Sequence, residues 1–221
     1  MFTIGITGPT GAGKTTALRV LAEMGGQVID CDAVYHRLLE SDGALLGRIE
    51  AAFPGVVKDW SLDRKALGAR VYGDPEGLKR LTELTWPAVR REVERRLKNR
   101  RHPSTGLEAG PPPLQAGEVS PAPTEFAVID AIGLFESGLS ELCDLTVAVV
   151  AEEAVRVRRL MERDGISEAY ARARIAAQKP AEWFAGQAEL VLENNGTEAE
   201  FAEKCRAEFG KRLLNDKEIN M

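Results

Sequence analysis

The sequence is poor in the residues that cross-link a chain or ligate metals. Its 221 residues hold three cysteines and two histidines. Cys31, Cys143 and Cys205 are widely spaced and odd in number, which argues against a disulfide framework or a zinc site. That usage fits a reduced compartment, so a cytoplasmic location is expected. His36 and His102 have no partners at metal spacing. No apolar run approaches the roughly 20 residues of a membrane span, so no membrane partner is expected. Met1 leads at once into a strand pattern, leaving no room for a signal peptide. Positive charge is not in excess: 29 Lys and Arg against 34 Asp and Glu give a net charge of −5. Duplex-binding surfaces are usually basic, so no nucleic-acid partner is expected. An N-K-x-D guanine-reading motif is missing too, which weighs against a GTPase-like switch.

What is present starts at the second residue. Phe2 to Thr7 is a short run of apolar and β-forming residues. Gly8-Pro9-Thr10-Gly11-Ala12-Gly13-Lys14-Thr15 then fits G-x-x-x-x-G-K-[ST] at every fixed position. Ala17, Leu18, Val20, Leu21 and Met24 follow at helical spacing, and Gly25-Gly26 supplies a stop. Strand, glycine loop and helix together are the context of a phosphate site. Gly8, Gly11 and Gly13 allow close backbone approach. The amides from Ala12 through Thr16, at the helix start, can form an anion nest. Lys14 can reach the outer phosphates, and the Thr15 hydroxyl is placed to ligate Mg²⁺.

The rest of the chain alternates strands with helices. Strands are expected at Gln27–Asp30, Phe126–Ile132, Leu145–Val150 and Glu189–Leu192. The continuous apolar runs suit parallel strands covered on both faces. Residues 43–101 read almost wholly helical, with Asp63 and Asp74-Pro75 as helix starts and Trp86-Pro87 as an interruption. Residues 102–124, rich in proline and glycine, read as a mobile insertion. Ser167 can cap a helix, and Thr197 with Glu200 forms a capping box before a helix burying Phe201, Cys205 and Phe209. The fold class is therefore α/β: a three-layer core with a five-stranded parallel sheet, a helical insertion and a small lid. The expected division is 1–32 with 125–221 as the core, 33–101 as the helical lobe, and a lid at about 152–180.

Two carboxylates stand one residue apart at Asp30-Cys31-Asp32, where a strand ends. In open α/β sheets that edge binds ligands. Asp32 is the candidate base for a phosphoryl-accepting hydroxyl, with helix capping by Asp30 or Asp32 as the other reading. Asp130 ends another strand and is read either as a Mg²⁺-directed carboxylate or as a turn residue. Among Arg156, Arg158, Arg159, Arg163, Arg172 and Arg174, some can close over a triphosphate. The basic run from Arg90 to Arg101 is read as a solvated helix face, with a basic surface for a phosphorylated substrate as the other reading. Cys31 is read as a small buried residue.

With those residues in view, the chain resembles the dephospho-coenzyme A kinases. The likeness lies in the loop Gly8–Thr15, Val28-Ile29-Asp30-Cys31-Asp32, the run Ser61 to Leu67 and Asp74-Pro75-Glu76. It continues in Leu134-Phe135-Glu136-Ser137-Gly138-Leu139, Arg159 to Gly165, Ala176-Ala177-Gln178 and Glu193-Asn194-Asn195-Gly196. The resemblance implies ATP-dependent phosphorylation of the ribose 3′-hydroxyl of dephospho-CoA, with another small-molecule kinase of the same loop class as the alternative. It implies a parallel sheet in a nucleotide-kinase core, a helical CoA-binding lobe and a small lid; separately, the protein is expected to be a monomer. By position it gives Asp32 the role of base and Lys14 that of phosphate lysine. Arg159 and Arg163 fall at lid arginines, and Asn195 falls near the adenine pocket. The chain departs from the family pattern at Trp86-Pro87, where His-Pro is usual. It also departs at Ile132-Gly133, where Pro-Leu is usual, and at Val150, often acidic.

Overall fold

The structure, a computed structural model, describes residues 1–101 and 126–219; the 102–124 stretch lies outside them. Five strands form one sheet: β1 (Phe2–Thr7), β2 (Gly26–Asp30), β5 (Phe126–Asp130), β6 (Leu145–Val150) and β7 (Leu190–Glu193). Their order is β2-β5-β1-β6-β7, and every pairing is parallel. A short antiparallel hairpin, β3 (Val57–Lys58) with β4 (Ser61–Leu62), stands apart.

Alternation along β5 shows why the sheet is a middle layer. Phe126 and Val128 pack on one face with Val20, Leu21, Phe201, Cys205 and Phe209. Ala127 and Ile129 pack on the other with Val89, Val93, Leu134 and Leu139. Successive side chains of a strand point to opposite faces, so a strand apolar at every position must be covered twice. The first cover is α1 (Lys14–Glu23) and α9 (Glu198–Ile219). The second is the C-terminal half of α5 (Pro75–Arg101), with α8 (Ala181–Gln187) placing Phe184 against Ala148 and Val150.

A second apolar cluster belongs to the helical segment. It joins Leu39 of α2 (Cys31–Ser41), Leu45 and Ile49 of α3 (Gly43–Ala52) and Leu67 of α4 (Arg64–Val71). Leu81 and Ala88 of α5 complete it. The caps match the sequence: Asp63 accepts from Ala66 N, and Ser167 opens α7 (Glu168–Ala176) by accepting from Tyr170 N. Thr197 and Glu200 close the capping box at the start of α9.

The structure corrects or adds to the sequence reading in three places. Trp86-Pro87 does not break the helix: α5 runs from Pro75 to Arg101 with Pro87 inside it. A mid-helix proline costs about 3 kcal/mol. Leu81 buried before it, and Ala88, Val89 and Val93 after it, offset that through hydrophobic burial of roughly 1.5–3 kcal/mol for a large aliphatic side chain. The non-helical part of the mostly helical stretch 43–101 is the β3–β4 hairpin, which turns through Asp59 and Trp60 at φ 48 and 61. Left-handed turns normally advertise themselves with Asn-Gly or Asp-Gly; Asp-Trp carries no such signal. Finally, α8 follows Pro180 as a short helix that the sequence reading did not place.

The candidate active site

The sheet order brings the chemistry together at the C-terminal ends of the strands. Asp30 of β2 pairs in register with Asp130 of β5, and Ile6 of β1 flanks Asp130 from the other side. The phosphate-type loop leaves β1 two residues after Ile6. Strands β1 and β2 are not neighbours: β5 lies between them and inserts Asp130.

The loop's shape depends on glycine. Gly8 sits at φ 138, where a Cβ would run into the Val149 carbonyl oxygen. Gly13, at φ 98, is the N-cap of α1 and offers no side-chain cap. The first amides of that helix therefore keep their capacity for an anion. A cleft of about 720 Å³ opens there, lined by Gly11, Gly13, Lys14, Thr15 and Thr16, with Asp130, Arg158, Arg159, Arg163 and Asn194. Lys14 Nζ donates to the Gly8 carbonyl at 2.7 Å. Burial lowers the Lys14 pKa, while the charges of Asp130 and Asp32 oppose that shift.

A small chamber of about 190 Å³ adjoins the cleft, lined by Thr10, Lys14, Asp32, Asp130, Ala131, Ile132 and Gln178. Burial pushes the Asp130 carboxyl up to about 6; the Lys14 ammonium opposes this, and Asp30 and Asp32 reinforce it. Capping of α2 falls to Asp30, whose Oδ1 accepts from Ala33 N at 2.9 Å. Asp32, in the first turn of α2, is thereby left out of the cap and lines the chamber.

Beyond Asp32 lies a third cavity of about 270 Å³, mostly apolar, walled by Tyr35, Leu78, Leu81, Trp86, Ile132 and Gly133 among others. Trp86 and Gly133 face each other: a Cβ on Gly133 would stand 3.8 Å from the indole. Lys14, Asp130 and Thr10 are common to the cleft and the chamber; Asp32, Ala131 and Ile132 are common to the chamber and this cavity. The three spaces form one path with Asp32 at its middle.

Not every expected residue lines that path. Gly8 and Ala12 support the loop without lining the cleft: Ala12 is fully buried, and its carbonyl accepts from Asn194 Nδ2 at 2.9 Å. Asn195 points elsewhere, exchanging hydrogen bonds with Glu152. Its neighbour Asn194 is 4% exposed and anchors Arg159, which donates to the Asn194 carbonyl at 3.0 Å and to Oδ1 at 3.1 Å. Adjacent residues at a strand end face opposite ways, so the Asn-Asn pair itself gave no sign of which one turned inward. Arg163 lines the cleft while paired bidentately with Asp164 at 2.7 and 3.0 Å. Arg172 and Arg174 are engaged by Glu153, Glu168 and Asp164. In the basic run, Arg95 and Arg96 pair with Glu92, and Arg90 with Glu94 and Glu141. Cys31 is buried, and desolvation pushes its thiol up to about 12, which suits a packing residue.

Comparison with known proteins agrees with this geometry. A family model described as dephospho-CoA kinase matches residues 2–112 and 115–200. The dephospho-CoA kinase of Anaeromyxobacter dehalogenans is 37% identical over 97% of each chain. The solved structure of TT1252 from Thermus thermophilus is 33% identical, covering 95% of this chain and 97% of its own, with a TM-score of 0.70. A dephospho-CoA kinase from Campylobacter jejuni, 22% identical with a TM-score of 0.63 over 97% of this chain and 98% of its own, shares the fold. A family model that spans nearly the whole chain and a relative 37% identical over 97% of it show that the chain belongs to the dephospho-CoA kinase family.

Proposed function

We propose that the chain transfers the γ-phosphoryl group of ATP to the ribose 3′-hydroxyl of dephospho-CoA, giving CoA and ADP in the last step of coenzyme A synthesis. The observation that carries this reading is the continuous path. Its cationic cleft suits a triphosphate, its apolar cavity suits an acceptor's body, and Asp32 lines the chamber that lies between them. The donor's phosphates lie along the amides of Gly11 to Thr16, with Lys14 as mobile charge. Asp32 accepts the proton of the attacking hydroxyl; the new O–P bond forms as the bond to the β,γ-bridging oxygen breaks, and ADP leaves. Arg159, fixed by Asn194, and Arg163 neutralise charge on the departing phosphates.

Thr15 and Asp130 fit a Mg²⁺ ion. Asp130 is a carboxyl that burial makes reluctant to ionise, so a cation beside it removes that penalty. Mg²⁺ usually takes only one or two protein ligands and completes its shell with phosphates and water. Bound there, it would supply charge neutralisation at the phosphates.

In this reading residues 33–101 hold the acceptor, residues of about 152–180 cover the donor, and the protein works as a cytoplasmic monomer that engages no nucleic acid. Three free thiols suit that compartment, and among the described residues no helix is long and apolar enough to cross a membrane.

The test is ADP release from Mg·ATP with and without dephospho-CoA, for the wild type and Asp32→Asn. The expected result is acceptor-dependent release that falls by about 10²-fold or more in the variant, with ATP affinity nearly intact. Rapid turnover of a nucleoside with dephospho-CoA inert would identify a different small-molecule kinase. Equal turnover in Asp32→Asn would falsify the assignment of the base.

A further inference from the structure

The loop between β1 and α1 is gripped by two residues that the proposed transfer step does not use: Arg156, and Gln178, which also lines the small chamber. Arg156 lies in the first turns of α6 (Glu153–Asp164) and is 4% exposed. Its Nε donates to the Thr10 carbonyl at 2.9 Å. Its backbone lies against the loop: a Cβ on Gly11 would stand 3.0 Å from the Arg156 carbonyl oxygen. Gln178, just past the end of α7, accepts from Thr10 N at 2.8 Å through Oε1. Both backbone groups of one loop residue are therefore held, the carbonyl by α6 and the amide by the segment after α7. Thr10 itself lines both the cleft and the chamber.

The cost of this arrangement argues for a purpose. A guanidinium is expensive to bury, and Arg156 Nη2 is buried without a partner among the described residues. Desolvation holds the Arg156 pKa below the ordinary arginine range, with Glu153 and Glu182 only opposing the shift. An apolar side chain would fill the same space at lower cost, so packing alone does not account for an arginine there. The grip also has a consequence for the anion. With its N–H already engaged by Gln178, Thr10 has no backbone donor to offer, and the backbone share of the anion site falls to amides farther along, at the start of α1.

We propose that Arg156 and Gln178 are positioning residues that clamp Thr10 from both sides, fixing the shape of the loop for the donor triphosphate and tying it to the placement of α6 and α7. The proposal rests on reading the cleft as the donor site.

The test is a double-mutant cycle of Arg156→Met, Gln178→Met and the two combined, with Mg·ATP affinity measured by equilibrium titration and both KM values measured kinetically. Each single variant is expected to weaken ATP binding about five- to tenfold, the amount one lost hydrogen bond supplies, while KM for dephospho-CoA stays unchanged in Arg156→Met, whose side chain lines none of the three spaces. The double variant should lose little more, because both side chains hold one residue and their effects are coupled. Losses that simply multiply, an equal rise in both KM values of Arg156→Met, or no loss at all would overturn the clamp. Amide exchange gives a reading that needs no activity: Thr10 N–H should exchange slowly in the wild type and much faster in Gln178→Met. Fast exchange in the wild type would also overturn it. Failure of the wild type to bind Mg·ATP would instead sink the donor-site reading, while Thr10 exchange would still report on the grip.

Discussion

The cleft at the start of α1 and the apolar cavity beside α5 are the two ends of one path, and they are built in opposite ways. The cleft takes most of its character from consecutive residues: Gly11 to Thr16 supply backbone amides, a cation and a hydroxyl within a single turn of chain. The cavity takes its walls from three distant segments, with Tyr35 from one, Leu78 to Trp86 from another and Ile132-Gly133 from the third. An anion can be recognised by local backbone geometry, since amides and a helix dipole need no distant partner. An apolar surface has no directional chemistry, and only the packing of remote side chains gives it a shape. The contrast implies that damage to the first end should remove chemistry, and damage to the second should mainly move acceptor affinity.

Lys14→Ala is the sharpest way to break the comparison. It removes the ammonium shared by the cleft and the chamber, and kcat is expected to fall by about 10³-fold, the upper range for losing one preorganised donor. Steady-state kinetics at saturating ATP would check it. A variant with ordinary turnover would show that the local end does not carry the chemistry.

Trp86→Ala probes the other end. The indole forms one wall of the cavity opposite Gly133, so KM for dephospho-CoA should rise about tenfold, the worth of part of an aromatic contact. KM for ATP should hold steady. If the ATP constant moved as much, the two ends would not be separable.

Asp130→Asn gives the smallest effect, read on stability without nucleotide or metal, and its size depends on pH. The native carboxyl titrates near 6 against a usual 3.8, because burial disfavours its charge. The wild type is therefore destabilised where the unfolded chain is ionised and the native site resists ionising. That penalty is nil below the unfolded pKa, grows as pH rises towards 6 and is constant above it. Without ATP or Mg²⁺, the uncharged amide of this variant should raise Tm by a few degrees at about pH 7, as roughly 1–2 kcal/mol would, and by almost nothing at about pH 4. Thermal unfolding at the two pH values decides it. A gain independent of pH would show that the carboxyl's charge is not the cause.

Much of the site was legible because its signals are short-range. The loop spacing, the placement of Asp32 and Asp130 at strand ends and the Thr197–Glu200 box all involve residues within a few positions of one another. Asn195 shows the limit. The Asn194-Asn195-Gly196 run marked the right corner, yet the inward residue is Asn194, and its partners Ala12 and Arg159 lie far away in the chain. Gln178 shows the same limit. Its role rests on Thr10, 168 positions earlier, and no periodicity relates the two.

The sequence by itself determined the alternation of strands and helices, the phosphate-type loop, the helix caps and the buried face of α9, because each follows from local sterics, hydrogen bonding or hydrophobic spacing. Only the tertiary structure decided the strand order that sets Asp130 between Asp30 and the loop. It also carried α5 through Pro87, turned the chain at Asp59-Trp60 and set Asp32 between the chamber and the apolar cavity. Those outcomes depend on burial summed over distant side chains, a quantity that no short stretch of residues contains.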